Sequence, residues 1–273
     1  MSKEQKQQLK QSLDQKEYWT VGQVRKLVDK QYGVNYGKRQ IQRLLRQLGL
    51  YCYKPQPRDY RQPEKADEKL KERLPAVADG LGLKGKDLDK LCMGFADESS
   101  PQLHANSARL WSVQKGGLKK VNTDKKRRNC FGFYALKGNS IISSIDKGNQ
   151  ENMIQMLTLI REANQQAETI ILIWDNHKAH LTAKVEQRAK DLQIVLVNLP
   201  AYSPNLNPIE RIWKQIKKTI AEAGVIDNLK QLEFLIQSAF KVCAKKQSFA
   251  KSWIDNIWNS VFVNNPIPFS DKL

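Results

Sequence analysis

Ile170-Ile171-Leu172-Ile173-Trp174-Asp175 is the stretch on which the fold turns. Five consecutive apolar residues closed by an acid have the length of a strand rather than a helix. An unbroken apolar run implies a strand buried on both faces of a sheet. Downstream, residues 178–191 carry a helical pattern and residues 194–199 make a second apolar strand. Strand, helix and strand in that order imply parallel pairing through a right-handed crossover. Upstream, residues 91–96, 109–113, 129–136 and 140–145 read as further strands, with Gly138-Asn139 as a turn between the last two. A helix fits residues 152–163, where Ile154, Leu157 and Ile160 keep register. The expected domain is α/β, with antiparallel strands first, parallel ones after, and helices on the flanks.

In such sheets chemistry gathers at the carboxyl ends of strands. Asp97 follows one apolar run and Asp175 follows another. Either acid alone suits a turn or a helix cap. A third acid, Glu210, follows Asn207-Pro208-Ile209. There Asn207 is expected as the N-cap, Pro208 as the first helical residue, and Glu210 as the partner completing a capping box. Ile209, Trp213, Ile216 and Ile220 define the buried stripe of that helix, with Glu210, Lys214 and Lys217 beside it. Three carboxylates are the oxygen-rich set that hard divalent cations prefer, and two such ions roughly 3.5–4 Å apart support phosphodiester chemistry. Asp97 is preferred to Glu98 because alternation places it on the strand face of Met93 and Phe95. His177 and His180, three apart with no third partner, are weak metal ligands, so no zinc site is expected. His180 and Asn176 are read as positioning groups.

The N-terminal region has a different character. The chain of 273 residues carries 46 Lys and Arg against 28 Asp and Glu, a net charge of +18. Half of that excess lies in residues 1–63, which points to a polyanion partner, nucleic acid before membrane. Ser2 with Gln5 opens a first short helix holding Leu9 and Leu13, and Thr20 caps a second that Gly33 ends. Gly37 starts a third, 38–48, closed by Gly49. Its Ile41, Leu44, Leu45 and Leu48 face inward, while Lys38, Arg39, Gln42, Arg43 and Arg46 face outward, as a helix-turn-helix reader requires. Residues 51–54 suit a small strand or wing. Pro55, Pro57 and Pro63, with Arg58 and Arg61 among them, read as a basic linker, so a DNA-binding domain is expected over 1–63 and the α/β domain over 64–273. A helical stretch is expected from Glu64 to about Arg73.

The longest apolar run falls far short of the ~20 residues of a membrane-spanning helix. Residues 1–6 hold no apolar core, so no signal peptide and an intracellular location are expected. Cysteines at 52, 92, 130 and 243 have no metal or disulfide spacing and read as buried reduced thiols. Lys115, Lys119, Lys120 and the run from Lys125 to Arg128 suit either DNA contact or a solvated basic loop.

Phe95-Ala96-Asp97-Glu98-Ser99, Trp111 and Gly116, Trp174-Asp175-Asn176-His177-Lys178-Ala179-His180, and the run from Leu199-Pro200-Ala201-Tyr202-Ser203-Pro204 through Leu206-Asn207-Pro208-Ile209-Glu210 to Trp213 resemble the DDE transposases of the mariner superfamily, in particular the bacterial insertion-sequence-630 branch. The 34 residues between Asp175 and Glu210 are the interval of that branch when the third acid is Glu. The resemblance covers roughly residues 2 to 260. It implies a ribonuclease-H-like catalytic domain behind a winged helix-turn-helix, with Asp97, Asp175 and Glu210 holding two Mg²⁺ or Mn²⁺ ions. It further implies cleavage of double-stranded DNA at element ends, strand transfer into TA sites, a homodimer on DNA, and a bacterial cytoplasmic, nucleoid-associated location. Members of the branch usually carry another helix-turn-helix upstream of the Ser2-Lys3-Glu4-Gln5 helix, so the expectation is either a partner polypeptide from an upstream frame or a truncated copy. Two rivals remain open: a catalytically inactive, transposase-derived DNA-binding protein, and a ribonuclease H or resolvase on the same fold.

Overall fold

A computed structural model describes residues 1–54, 58–83, 88–104, 108, 110–111 and 118–262. The chain divides into two compact units, Met1–Pro57 and Arg58–Leu273. The division falls within the proline-rich stretch, ahead of the boundary expected near residue 63.

The first unit is helical among its described residues: α1 (Lys3–Asp14), α2 (Val21–Tyr32) and α3 (Lys38–Gln47). Each start is fixed locally. Ser2 and Gln5 form a reciprocal capping box on α1, and Thr20 and Gln23 form another on α2. Gly37 has no side chain to cap with, and Gln40 Oε1 accepts its N–H instead at 2.8 Å. Gly33 ends α2 with a left-handed φ of 65° that a residue bearing Cβ adopts at a cost. Leu9, Leu13, Val24, Val28, Ile41 and Leu44 close a small core. The wing expected at residues 51–54 is not a strand. Cys52, within that stretch, is exposed, against the expectation of four buried thiols; the other three are buried.

The second unit is built on one five-stranded sheet: β1 (Leu91–Ser99), β2 (Cys130–Lys137), β3 (Ile141–Ser144), β4 (Thr169–Trp174) and β5 (Ile194–Asn198), in the order β3-β2-β1-β4-β5. β1 pairs antiparallel with β2 and parallel with β4, and β4 pairs parallel with β5. The expected order of antiparallel then parallel pairing is what the sheet shows. No strand forms at Leu110 and Trp111, and residues 109, 112 and 113 of the strand expected at 109–113 lie outside the described residues. β1 also runs three residues beyond its apolar portion, so Asp97 lies inside the strand rather than past its end.

Helices cover both faces. α5 (Gln150–Ala163) and α6 (Ala183–Asp191) pack with Cys92, Ala96, Leu172 and Trp174. α6 starts later than expected, because the Thr182 side chain accepts from Val185 N–H and fixes the start there. The opposite face, with Met93, Phe95, Ile171 and Ile173, carries α4 (Ala66–Gly80), α7 (Ile209–Glu222), α8 (Leu229–Ala244) and a helical segment over 251–261. α4 begins two residues after Glu64 and runs past the expected end through Pro75, held by buried Leu70, Leu74 and Ala78.

Gly132 of β2 determines how α7 sits. It is opposite Asp97 in the β1–β2 ladder, and a Cβ there would lie 2.8 Å from the Trp213 ring and 3.1 Å from Ile209. Trp213 and Ile209 belong to the helix turn that carries Glu210. Gly132→Ala is therefore expected to cost about 1–3 kcal/mol through overpacking and to lift the start of α7 away from β1. A lowered midpoint in urea, together with weakened divalent-ion binding, checks this; an unchanged midpoint would show that the ring moves aside freely.

Candidate active site

The backbone brings the first two acids together. In the parallel β1–β4 register Phe95 stands opposite Ile173. Continued by two residues, that register sets Asp97 level with Asp175. Phe95 and Ile173 belong to the same core cluster as Ile209, Ile212 and Trp213 of α7, so Asp97 extends the face on which α7 lies. Glu210 enters from the first turn of that helix.

The expected capping role of Glu210 is not what the structure shows. α7 begins at Ile209 after Pro208, with no side-chain cap. Asn207 is buried, and its Nδ2 donates to Ala96 O at 3.2 Å. The Nδ2 donor is thus taken by the strand carbonyl just before Asp97, while Oδ1, the atom a cap would use, accepts no hydrogen bond among the described residues. This bond ties the start of α7 to β1 at the residue preceding the first acid.

The acids influence one another electrostatically, while the described residues whose ligand atoms lie within 4.8 Å of one another are Glu98, His177 and His180 rather than Asp97, Asp175 and Glu210. Burial pushes the Asp97 carboxyl well above the usual range, and Glu210, Glu98 and Asp175 each push it further. Glu210 is also raised, by loss of water around its carboxyl first, with Lys217 opposing and Asp175 adding. Burial alone would raise Asp175 too, but His180 and the His177 backbone N–H hold it below its ordinary value. His177 N donates to Asp175 Oδ1 at 3.0 Å.

The candidate positioning residues take distinct places. Asn176 Nδ2 donates to Leu199 O at 2.7 Å, fastening the end of β4 to the segment after β5. His180 is buried and stacks on Trp174 with centroids 4.2 Å apart. Its Nδ1 lies 2.9 Å from Asp175 Oδ1 and its Nε2 3.2 Å from Glu98 Oε1. Desolvation works against its charge, but the two carboxylates outweigh that and raise its pKa to about 9. With a carboxylate on each nitrogen the ring is an imidazolium donating to both.

The sequence sets Glu98 aside because strand alternation puts Asp97, and not Glu98, on the face of Met93 and Phe95. Among the described residues, Glu98, His177 and His180 form a group whose possible ligand atoms all lie within 4.8 Å of one another. No pattern along the chain signals this, since the glutamate and the histidines meet only through β1–β4 pairing.

Lys214 and Lys217 are exposed on α7, one and two turns beyond Glu210. In the first unit Lys38, Arg39, Gln42, Arg43 and Arg46 are all exposed on α3, opposite its buried Ile41 and Leu44. The basic segment before β2 is partly engaged within the protein: Arg128 pairs with Glu233 at 3.1 Å and Lys126 with Asp124 at 3.3 Å. Lys119 Nζ donates to Ala221 O, and Lys115 lies outside the described residues.

A parallel-centred sheet with clustered acids at the strand ends is the architecture of metal-dependent enzymes acting on phosphodiesters. The chain belongs to the DDE superfamily endonuclease family, whose sequence profile matches residues 93–233, just over half of it. A winged helix-turn helix profile matches residues 15–73. The chain is 25% identical over 142 residues to the insertion element IS630 uncharacterized 39 kDa protein of Shigella sonnei, covering 50% of this chain and 41% of that protein. It thus spans about two-fifths of that relative's length. In fold it is similar to the mariner Mos1 paired end complex with Mg, at a TM-score of 0.65 and 16% identity over 97% of this chain and 79% of that one. The Mos1 strand transfer complex gives 0.62 and 17% over the same shares.

Proposed function

We propose that this protein is a DNA transposase that cleaves double-stranded DNA at element ends and joins the freed end to target DNA at TA sites. The observation that carries the reading is the mutual electrostatic influence of Asp97 in β1, Asp175 just after β4 and Glu210 in the first turn of α7. Four acids influence one another there, and His180, His177 and Lys217, the cationic groups acting on Asp175 and Glu210, do not offset burial and repulsion at Asp97. Such a set of hard oxygen donors fits Mg²⁺ or Mn²⁺. Asp97, Asp175 and Glu210 would hold the metal, two ions in our reading, and when bound it supplies a lowered pKa for the attacking oxygen and charge relief for the phosphate.

The protein's own contribution is placement. β1 and β4 fix two carboxylates by backbone pairing, and Asn207 and Trp213 fix the helix that brings the third. His180 and the His177 amide hold one Asp175 oxygen in place. Lys214 and Lys217 give the helix a cationic edge for the phosphate backbone. α3 serves as the sequence reader, with Lys38, Arg39, Gln42, Arg43 and Arg46 toward duplex DNA. The Mos1 neighbour is known with paired ends, and joining two ends in that manner calls for two copies of this chain on DNA. The substrate sets the place of action, the bacterial cytoplasm at the nucleoid. All three acids are present and gathered, which favours an active enzyme over an inert DNA-binding relative.

A duplex carrying the terminal repeats, incubated with the protein and Mg²⁺ or Mn²⁺, should be nicked at the repeat boundary, and EDTA should stop the reaction. Cleavage that persists in EDTA would overturn the metal assignment. For the first unit, Arg43→Ala should weaken binding to repeat DNA and lower the slope of log affinity against log salt by about one contact. An unaltered slope would remove α3 as the DNA-reading helix.

A further inference from the structure

His180 is 1% exposed, and its two nitrogens meet different carboxylates in different ways. The 2.9 Å from Nδ1 to Asp175 is an ordinary charge-assisted hydrogen bond. The 3.2 Å from Nε2 to Glu98 is longer than the roughly 2.7–2.9 Å usual for such a bond. It is close to the ~3.3–3.4 Å separating two ligand atoms of a tetrahedral zinc ion bound at about 2.0–2.1 Å. His177 completes a trio, since the ligand atoms of Glu98, His177 and His180 lie within 4.8 Å of one another. His177 is exposed, so the trio opens to solvent on that side. Strand alternation directs Glu98 away from the face of Asp97, toward the side where His180 stacks on Trp174. A metal-binding histidine needs an outer hydrogen-bond acceptor on its second nitrogen, and Asp175 already occupies that place.

We infer that Glu98, His177 and His180 form a site for a zinc-class transition-metal ion, separate in ligand chemistry from Asp97, Asp175 and Glu210. Two imidazole nitrogens and one carboxylate oxygen are the donor set of three-ligand zinc sites with an open fourth position. The all-oxygen set next to it suits Mg²⁺ and Mn²⁺ instead. The ion would take the Nε2 side of His180, facing Glu98, and leave Nδ1 facing Asp175. The Nδ1–H goes on donating to Asp175, so occupancy of one site is felt at the other. The inference needs only these three side chains and does not rest on the nuclease reading.

Cobalt(II) titration of the full chain tests it, in a Cys52→Ser background that removes the exposed thiol. One equivalent should give the visible ligand-field band of four- or five-coordinate cobalt, undiminished by millimolar Mg²⁺ and discharged by Zn²⁺. His177→Gln and Glu98→Gln should each weaken binding by more than about tenfold, while Glu210→Gln leaves it unchanged. His177 is exposed, so its replacement keeps the fold. Cobalt affinity untouched by His177→Gln, or lost with Glu210→Gln or in Mg²⁺, would place the ion on the acids and overturn the site.

Discussion

Glu210→Gln is expected to lower metal-dependent nicking of repeat DNA on the order of 10³-fold while leaving the folded protein intact. The magnitude follows from two general values: metal stabilisation of a phosphoryl transition state is worth several kcal/mol, and about 1.4 kcal/mol is tenfold in rate. Retained stability follows from the local structure. α7 has no side-chain cap, so the carboxylate has no capping bond to lose. The substitution keeps shape and removes charge, and surface changes of that kind stay within about 0.5 kcal/mol. Single-turnover nicking beside a thermal melt measures both. Nicking at the parent rate would end the assignment of Glu210, whereas a collapsed melt would show a structural role that the structure does not reveal.

Asp97→Asn is expected to abolish nicking as completely, yet to raise the melting temperature of the metal-free protein. Asp97 is the acid most crowded by the others, and burial, Glu210, Glu98 and Asp175 all disfavour its charge. A neutral amide of the same shape removes that repulsion, and in a domain of this size each kcal/mol regained moves the midpoint by roughly 2–4 °C. Millimolar Mg²⁺ or Mn²⁺ should then reverse the order. The parent gains stability by binding the ion to its folded state alone, and the variant does not. A variant less stable than the parent in EDTA would mean that the Asp97 carboxylate is a needed hydrogen-bond partner rather than a strained acid.

The sequence was readable where local chemistry decides structure and opaque where pairing at a distance overrides it. Ile170 through Trp174 announces a central strand because nothing polar interrupts it. Thr20 and Gly33 bound α2 because a cap and a left-handed turn are local devices. Asp97 and Glu98 looked like a strand terminus because charge argues against a buried strand. The β2 ladder carries β1 through them, with Glu98 opposite Phe131 and Ser99 opposite Cys130. Asn207 looked like a helix cap because only its neighbours in the chain were in view, while its partner, Ala96 O, lies 111 residues away. The same distance hid the place of Glu98 beside the histidines. The three acids stand out because each has a distinctive local setting, but the frame that places Asp97 and Asp175 near one another is a register, and a register is a property of two strands.

That register makes the opening between the acids behave like a vice with one fixed jaw and one sliding jaw. Asp97 rides inside β1 and Asp175 directly follows the adjacent β4, each two residues past the last β1–β4 pair, so their backbones are held close by that ladder. Glu210 rides on a helix seated by an indole ring over a glycine. Oxygen ligands stand about 2.0–2.1 Å from Mg²⁺ and 2.3–2.6 Å from Ca²⁺, so a helix slide of a few tenths of an ångström is enough to favour one ion radius over another. If the acids hold the metal as proposed, discrimination among ions would be set in the greasy seat under α7, by residues that never touch a cation.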